Sequence, residues 1–381
     1  MIRLSIIIPT KDRYVYLLPL IKLIDSYKLK DCEIVIEDNS SDNSEISEFL
    51  SSNTFTTPIV YNHTSVQIAI SDNIDNAINH SSGKYVCIIG DDDAVTPLIS
   101  ECLDLMDENG ADSFRQAEEI TYKWPSYADD KNVFCGGTLA YGALDDSYKT
   151  VDTVGEVVKV IGNGIMSLGK MPCVYQGIVR RATLDRLNNI GGTYFPGPSP
   201  DMANAMALSF VVDKHIVGNM PVIVSGGSEY QGGRSKKIKS WVQPLENIPF
   251  ISEEAKKKWD KRVPYFWCGH TVWPESGIKG LVYVGQESLL QHMDFDRLLA
   301  KCLYRGGSKF RDEVLSRATN KKKVLAGWLL FSLREYLAGY KRRMLRAMHK
   351  VSGDRTIAFG IKNICDAKDC LLEKYLHFKK T

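Results

Sequence analysis

Three consecutive aspartates, Asp91–Asp93, follow a short apolar segment, Lys84–Gly90, of the kind that forms a buried strand. Ligands of open α/β sheets bind at the carboxyl ends of strands, which is where this pattern places the carboxylates. Two carboxylates about 5 Å apart repel each other by roughly 3 kcal/mol at an effective dielectric of about 20. Because no Lys or Arg adjoins them in the sequence, a divalent cation is the predicted partner, and oxygen ligands favour Mg²⁺ or Mn²⁺. The alternative is a solvated acidic turn.

Two further polar loops follow earlier apolar segments. Pro9–Arg13 closes a strand predicted at Leu4–Ile8, and Glu37–Asp42 follows a strand predicted at Glu33–Ile36. An acidic side chain just past a strand end can accept hydrogen bonds from a nucleobase or from ribose hydroxyls. Each loop alone is weak evidence, because Asp42 is equally suited to be a helix N-cap.

The elements that must position these loops alternate between strand and helix over the first hundred residues. Apolar residues at helical spacing predict helices at Tyr14–Tyr27 and at about Ile68–Asn79, between the strands. Such alternation predicts an α/β fold, Rossmann-like, with a mostly parallel sheet and helices on both faces. Right-handed crossovers place the loops after parallel strands at one edge of the sheet. The three polar loops are therefore expected to converge on one site.

The order and spacing of these motifs resemble the family 2 glycosyltransferases, which have the GT-A fold. The resemblance is specific over about residues 2 to 105, looser to about 220 and absent beyond. It is carried by Ser5–Thr10, Glu37–Asp42, Asn73 ahead of Gly83–Tyr85, Gly90–Asp93 and Pro97.

The resemblance implies an inverting transferase that uses a nucleotide-diphosphate sugar, with uridine diphosphate as the expected carrier, and Mn²⁺ or Mg²⁺. Strand alternation would put Asp91 and Asp93 on one side and give Asp92 the lesser role. The metal would be held by Asp93 with Asp91, and His270 is a third candidate ligand. The match assigns the donor to Pro9, Thr10, Asp12, Asp38, Asn73, Asp91 and Asp92.

By the same resemblance, Asp201 is the predicted catalytic base, at the start of a helix and directly after the loop that contains Pro198 and Pro200. The alternative is an ordinary helix N-cap. The sequence departs from the family at Asp72, where an Arg that could contact the donor phosphates is common. A replacement cation is sought in the glycine-rich segment, at Arg234, Lys236 or Lys237.

Length and composition predict a globular chain of more than one domain. The 381 residues are 44% apolar, and the nine cysteines show no zinc spacing, which favours a reducing, cytoplasmic compartment. The predicted units are a GT-A nucleotide-sugar-binding and catalytic domain at 1–222, a linking or acceptor-side region at 223–285 and a basic helical C-terminal region at 286–381.

The C-terminal region is strongly basic. Residues 301–350 contain fourteen Lys and Arg against three Asp and Glu, so the remainder carries −9 in a chain of net charge +2. An apolar stripe from Leu325 to Met348 runs through it at helical spacing. The stripe either packs internally or, with the basic residues of 321–350, docks on an anionic membrane surface. A homo-oligomer through these helices is also open, whereas no motif supports a nucleic-acid partner.

The predicted function is transfer of a sugar to a glycan or lipid-linked acceptor, in bacterial surface polysaccharide synthesis by resemblance. One alternative is a sugar-phosphate nucleotidyltransferase, although its usual glycine-rich N-terminal loop is missing from the sequence. A second is a catalytically idle glycan-binding assembly subunit.

Overall fold

The computed structural model describes residues 1–127, 136–229, 242–347 and 355–379. Within them lie fifteen strands, thirteen α-helices and three short 3₁₀ turns at Leu245–Asn247, Glu287–His292 and Ser308–Phe310. The strands are β1 (Leu4–Thr10), β2 (Cys32–Asp38), β3 (Ile59–His63), β4 (Tyr85–Ile88), β5 (Ala94–Val95), β6 (Ser113–Gln116), β7 (Thr121–Lys123), β8 (Thr138–Tyr141), β9 (Tyr148–Val151), β10 (Ile178–Arg180), β11 (His215–Gly218), β12 (Ile223–Gly227), β13 (Gln243–Pro244), β14 (Phe266–Trp267) and β15 (Thr356–Phe359). The helices are α1 (Tyr14–Ser26), α2 (Ser44–Ser52), α3 (Ile70–Asn79), α4 (Ile99–Glu108), α5 (Thr153–Gly162), α6 (Arg181–Gly191), α7 (Pro200–Leu208), α8 (Glu253–Lys257), α9 (Gly269–Tyr283), α10 (Phe295–Gly306), α11 (Arg311–Ser316), α12 (Lys321–Ala347) and α13 (Ile364–Phe378).

The central sheet has eight strands in the order β3-β2-β1-β4-β10-β6-β11-β9. β1 to β4 run parallel to one another, as do β6 and β11, whereas β10 and β9 are antiparallel to their neighbours. The predicted mostly parallel sheet is therefore confirmed. Because β1, β2 and β4 are parallel neighbours, the loops that follow them leave the sheet at the same edge.

Helices cover both faces of this sheet, as predicted. Side chains of β1 alternate between two apolar cores: Ile6 and Ile8 pack on the face covered by α1, α4 and α13, and Ile7 packs on the face covered by α3, α6 and α7. This period of two is what a strand buried on both faces requires. The residues after β1 are held rigidly as a result.

A second sheet, in the order β15-β8-β7-β12-β5, lies directly behind the aspartates. β5 begins one residue after Asp93 and pairs with β12 through Val95 and Ile223. β12 continues in parallel with β7 as far as Gly227. This pairing fixes the direction in which the chain leaves Asp91–Asp93.

The helical C-terminal region is confirmed, and it contains one strand that the sequence did not predict. Helices α9, α10 and α12 share a second apolar core with α5 and part of α7. β15 instead pairs with β8, and α13 packs into the core of the central sheet through Leu371 and Tyr375. The boundaries at 222 and 285 stay predictions, and the structure adds that the chain returns to its first core near the C terminus.

No helix of the described residues is both long enough and apolar enough to cross a bilayer. The eight cysteines that the structure describes are free thiols.

Candidate active site

The three polar loops meet at one edge of the central sheet, as the topology predicts. The Thr10 hydroxyl at the end of β1 donates to Oδ2 of Asp91 at 2.8 Å. The backbone N–H of Asp12 donates to the Ser40 hydroxyl at 2.7 Å. Thr10 also lies opposite Asp38 in the register of β1 and β2. The ends of β1, β2 and β4 therefore form a single polar surface.

Arg13 occupies the centre of this surface. Its Nε lies 3.0 Å from Oδ1 of Asp91, and its Nη2 lies 2.7 Å from Oδ2 of Asp92. Nη2 also donates to the Ser228 hydroxyl, and the guanidinium lies 5.3 Å from the ring centre of Tyr16. Asp91–Asp93 therefore have a basic partner that their sequence neighbours do not supply, because the fold brings Arg13, three residues after β1, to them in space.

Asp93 is enclosed by donors from three segments. Its Oδ2 accepts hydrogen bonds from the Gly90 N–H at 2.7 Å and the Gln176 amide at 2.9 Å, and its Oδ1 accepts from the Gly226 N–H at 2.7 Å. The Tyr175 hydroxyl adds a weaker contact at 3.4 Å. A Cβ at position 226 would collide with the carbonyl of Asp92, so only glycine allows β12 to approach this closely. The carboxylate of Asp93 is thereby fixed in position by hydrogen bonds from three segments of the chain.

Burial governs the acidity of these aspartates. It raises the pKa of Asp91 and of Asp93 above the ordinary range, and the charge of Asp92 raises both further. Arg13 opposes this rise at Asp91, while the hydrogen bonds from Gln176 and the backbone oppose it at Asp93. The site as a whole therefore still favours additional positive charge.

As they lie, these residues do not fit a directly bound metal ion. Both oxygens of Asp91 face Arg13 or Thr10, and both oxygens of Asp93 accept hydrogen bonds from the protein. Among the described residues, no group of three or more His, Cys, Asp or Glu side chains is arranged to hold a metal. A divalent ion could reach Asp91 only after Arg13 had moved.

His270, the third candidate ligand, lies on α9 in the second core. Its ring is edge-on to Phe331 of α12 at 6.4 Å. Burial, with Arg305 and Lys301 nearby, lowers its pKa to about 4. Two cations next to an imidazole disfavour a metal there, and the contacts of His270 within the described residues are to α10 and α12, not to Asp91–Asp93.

The residues predicted to bind the sugar donor differ in how exposed their side chains are and in how many hydrogen bonds they already make. Asp12 is exposed, with a left-handed backbone at φ 55° that a non-glycine residue rarely adopts. Asp38 is fully buried and accepts from the hydroxyls of Tyr14 at 2.6 Å and Tyr61 at 3.0 Å. Asn73 donates to the Glu37 carbonyl, while its own side-chain oxygen is buried without a partner in the described structure. Pro9 lies opposite Glu37 in the sheet.

Asp201 is the second residue of α7, and the N-cap of this helix is Ser199, two residues before it. Its Oδ1 accepts from the Ser199 hydroxyl and from the Met202 N–H, the latter at 2.8 Å. Ser199 is held in turn by the Ser276 hydroxyl of α9 at 2.8 Å. Burial raises the pKa of Asp201, and the hydrogen bond from Ser199 opposes the rise. A fixed carboxylate with one oxygen engaged and a raised pKa is suited to accept a proton.

Tyr175 and Gln176 are site residues that the sequence reasoning missed. Burial raises the pKa of Tyr175, and the charges of Asp93, Asp92 and Asp201 raise it further. Gln176 joins Asp93 to Ser225 and has a left-handed φ of 53°. Nothing in the local sequence indicates that Tyr175 and Gln176 lie at the site. They reach it only because β10, which follows them, pairs in antiparallel fashion with β4.

The other cation candidates of the sequence, Arg234, Lys236 and Lys237, lie outside the described residues. Trp124 and Ser228 are further missed contacts. The Trp124 indole donates to the Asp92 carbonyl at 2.8 Å, and the Ser228 hydroxyl donates to Oδ2 of Asp92 at 2.6 Å.

Residues 5–149 match the model of the family described as "Glycosyl transferase family 2". No curated protein matches the chain. Solved structures that match include TarS 1–349 of S. aureus in complex with UDP-GlcNAc, at 16% identity and a TM-score of 0.47, with 86% of this chain and 79% of that chain covered. The mannosyltransferase PcManGT from Pyrobaculum calidifontis in complex with GDP-Man and Mn²⁺ matches at 13% identity and a TM-score of 0.40, with 86% of each chain covered. A likeness at this level says nothing about the ligand of this chain.

Proposed function

Because residues 5–149 form a glycosyl transferase family 2 domain, we propose that this glycosyltransferase moves a sugar from a nucleotide-diphosphate donor to an acceptor hydroxyl with inversion. The observation that carries the proposal is the meeting of three strand-end loops around Arg13. The segment Cys173–Gln176 connects this surface to Asp201, because the Tyr175 hydroxyl lies 3.4 Å from Asp93 and the Cys173 thiol donates to the Asp201 carbonyl at 3.5 Å. A cation for the leaving group and a base for the acceptor are thus available on one surface.

The proposed step is an in-line displacement at the anomeric carbon. The acceptor oxygen forms the new bond to that carbon, and its proton passes to the Asp201 carboxylate. The bond from the anomeric carbon to the diphosphate oxygen breaks, and the nucleoside diphosphate leaves with the electron pair. Attack from the side opposite the leaving group inverts the configuration. General-base assistance of this kind contributes about 10²- to 10⁴-fold in rate.

The donor is proposed to lie across the loops after β1 and β2. Asp12 is exposed there, and the unpartnered oxygen of Asn73 can accept a hydrogen bond. Asp38 would act mainly by fixing Tyr14 and Tyr61, since its carboxylate is already saturated and buried. Uridine diphosphate is the proposed carrier. The diphosphate would meet Arg13, while Thr10 and Pro9 shape the floor of the site.

Mn²⁺ or Mg²⁺ stays a prediction, because Asp91 and Asp93 could hold the ion only after Arg13 had moved and the hydrogen bonds to Asp93 had rearranged. An ion there would neutralise charge on the departing diphosphate. Because the carboxylates are already occupied, Arg13 is the cation that we propose meets the leaving group.

The acceptor side is proposed to include an anionic membrane surface, contacted by α12. One side of α12 packs on α10, with Phe331 edge-on to Tyr304 at 5.2 Å. The opposite side exposes seven large apolar side chains to between 48% and 72%. They are Leu329, Leu330, Leu333, Tyr336, Leu337, Tyr340 and Met344. Fifteen residues separate the first from the last, so this outer face of α12 is about 22 Å long.

Charge decides which partner suits the outer face of α12. Residues 321–347 contain eight Lys and Arg and one Glu. A second copy would bring the same positive charge against it, whereas anionic lipid would attract it by about 1 kcal/mol per basic residue near the surface. A lipid-linked acceptor at the cytoplasmic face of the membrane would then be within reach of the enzyme. We therefore propose that the outer face of α12 contacts an anionic lipid surface.

Vesicle flotation tests this docking. We expect the protein to float with vesicles that contain anionic phosphatidylglycerol and to remain behind with neutral phosphatidylcholine. Leu333→Glu with Tyr336→Glu should abolish flotation, because both side chains would place charge in the apolar layer. Ile190→Glu, at an exposed position of α6, is the matched control. Equal flotation of both variants, or a concentration-dependent dimer that Leu333→Glu dissolves, would overturn the membrane assignment.

The transferase proposal is tested by screening nucleotide sugars for thermal stabilisation and then measuring release of nucleoside diphosphate. We expect one uridine-diphosphate sugar to stabilise the protein and to be turned over when acceptor is supplied. Pyrophosphate formation from a sugar phosphate and a nucleoside triphosphate would indicate a nucleotidyltransferase instead. Glycan binding without turnover of any donor would indicate the idle assembly subunit.

A further inference from the structure

We propose that Arg13 is an internal counterion that occupies the place of a metal on Asp91–Asp93. A divalent ion would then bind the free protein only when Arg13 leaves. This inference concerns the protein without substrate, and it depends on the proposed function only for its biological purpose.

Geometry is the first support. The guanidinium bridges two carboxylates, with ion-pair distances of 3.0 Å to Asp91 and 2.7 Å to Asp92. A bridging cation is what adjacent carboxylates need, and a metal in the same place would contact the same oxygens. Arg13 and a metal are therefore mutually exclusive at Oδ1 of Asp91.

Arg13 is also held by contacts with Ser228 and Tyr16. The Ser228 hydroxyl accepts from Nη2 at 2.8 Å while donating to Oδ2 of Asp92 at 2.6 Å, which completes a closed triangle of polar contacts. The ring of Tyr16 lies against the guanidinium, and only 18% of the Arg13 side chain is exposed. A surface arginine near acidic residues would be solvated, whereas Arg13 is largely buried and is held by a hydroxyl and an aromatic ring.

One atom of Arg13, its Nε, is less well satisfied than the rest of the guanidinium. The Nε of Arg13 is buried and has no hydrogen-bond partner among the described residues, because it faces Oδ1 of Asp91 at ion-pair distance but without hydrogen-bond alignment. A charged donor left without an acceptor is costly. Arg13 therefore holds the carboxylates through charge more than through directional bonding, and a divalent ion can compete with it.

The direct test is a titration of the full chain with Mn²⁺ in the absence of nucleotide. Binding is measured as the loss of the electron paramagnetic resonance signal of the free ion. We expect the unmodified protein to bind Mn²⁺ weakly and Arg13→Gln to bind it at least tenfold more tightly. Arg13→Lys should fall between them because it keeps the charge but loses the bridge. Lys11→Gln removes a cation of the same loop whose ammonium contacts Asn39, and it should bind as the unmodified protein does.

Arg13→Gln leaves the buried carboxylates of Asp91 and Asp92 without their counterion and could fail to fold. Arg13→Gln with Asp92→Asn removes one charge of each sign and keeps Asp91 and Asp93, so it should fold and retain the tighter Mn²⁺ binding. Adding Asp91→Asn should then abolish the gain. Mn²⁺ binding in the unmodified protein that matches the folded variants, or a gain that survives Asp91→Asn, would overturn the proposal.

This measurement needs neither donor nor acceptor. A negative result would leave the proposed sugar transfer standing, and a failure to find turnover would leave the Mn²⁺ result standing.

Discussion

Two acidic groups of the site are built in opposite ways. In Asp91–Asp93, every oxygen of the first and last carboxylate already faces a donor of the protein, and Arg13 neutralises part of the charge. In Asp201, both hydrogen bonds go to the same oxygen, Oδ1. The first group is arranged to hold charge in a fixed place, and the second is arranged to leave one oxygen open.

The difference between the two groups shows that burial alone does not determine what a carboxylate of this site can do. Burial raises the pKa of Asp93 and of Asp201 alike. What separates them is the distribution of donors, since three segments converge on Asp93 and a single helix start holds Asp201. From this hydrogen-bond geometry we propose a role in binding for Asp91–Asp93 and a role in proton transfer for Asp201, and the comparison can be tested at each end.

The largest effect on stability is expected at Asp93. In Asp93→Asn, the new amide must face either the Gly90 N–H or the Gly226 N–H, and two donors then oppose each other. We expect the free energy of unfolding to fall by about 2–4 kcal/mol. Asp201→Asn is the matched control and should change it by less than about 1 kcal/mol, because its amide can take the open side. Denaturant unfolding of both variants measures this, and equal losses would remove the distinction.

A smaller effect is expected in the pH dependence of turnover. The base must be ionised, so kcat/KM should rise with pH through the pKa of Asp201, which burial places above its ordinary value. The hydrogen bond from Ser199 lowers that pKa, and Ser199→Ala should therefore move the acidic limb to higher pH. The rate on the alkaline side of the limb should change little. An acidic limb that stays in place, or moves to lower pH, would contradict the assignment of Asp201.

The smallest effect is expected at Tyr175. Its hydroxyl is 3.4 Å from Asp93, which is long for an O–H···O hydrogen bond. Tyr175→Phe should cost less than about 1 kcal/mol in unfolding free energy. Gln176→Ala, which loses the 2.9 Å bond to the same oxygen, should cost more. The reverse order in thermal denaturation would show that Tyr175, rather than Gln176, holds Asp93 in place.

Much of the fold could be predicted because the first hundred residues carry local signals. The strand predicted at Leu4–Ile8 is β1 and the helix predicted at Tyr14–Tyr27 is α1, each within two residues at either end. β12 and β15 could not be predicted in the same way. Their partners lie more than a hundred residues away, and short strands in a small sheet have little periodicity of their own.

The candidate site could be predicted only in part, for a related reason. Strand order brings Thr10 and Asp91 together, so their proximity follows from topology. The direction in which the Arg13 side chain points does not, because Arg13 lies at the start of α1 where the chain turns. Gly226 and Ser228 fell in a segment interpreted as a linking region, since nothing in their local sequence indicates pairing with β5.

The most direct test of the account is to measure donor binding and turnover together in Asp201→Asn. Calorimetric titration with the nucleotide sugar identified by the thermal screen would give the affinity, and release of nucleoside diphosphate would give the rate. We predict an affinity within about twofold of the unmodified protein and a rate reduced about 10²- to 10⁴-fold. Near-normal turnover, or loss of donor binding in parallel with turnover, would contradict the assignment of Asp201 as the base.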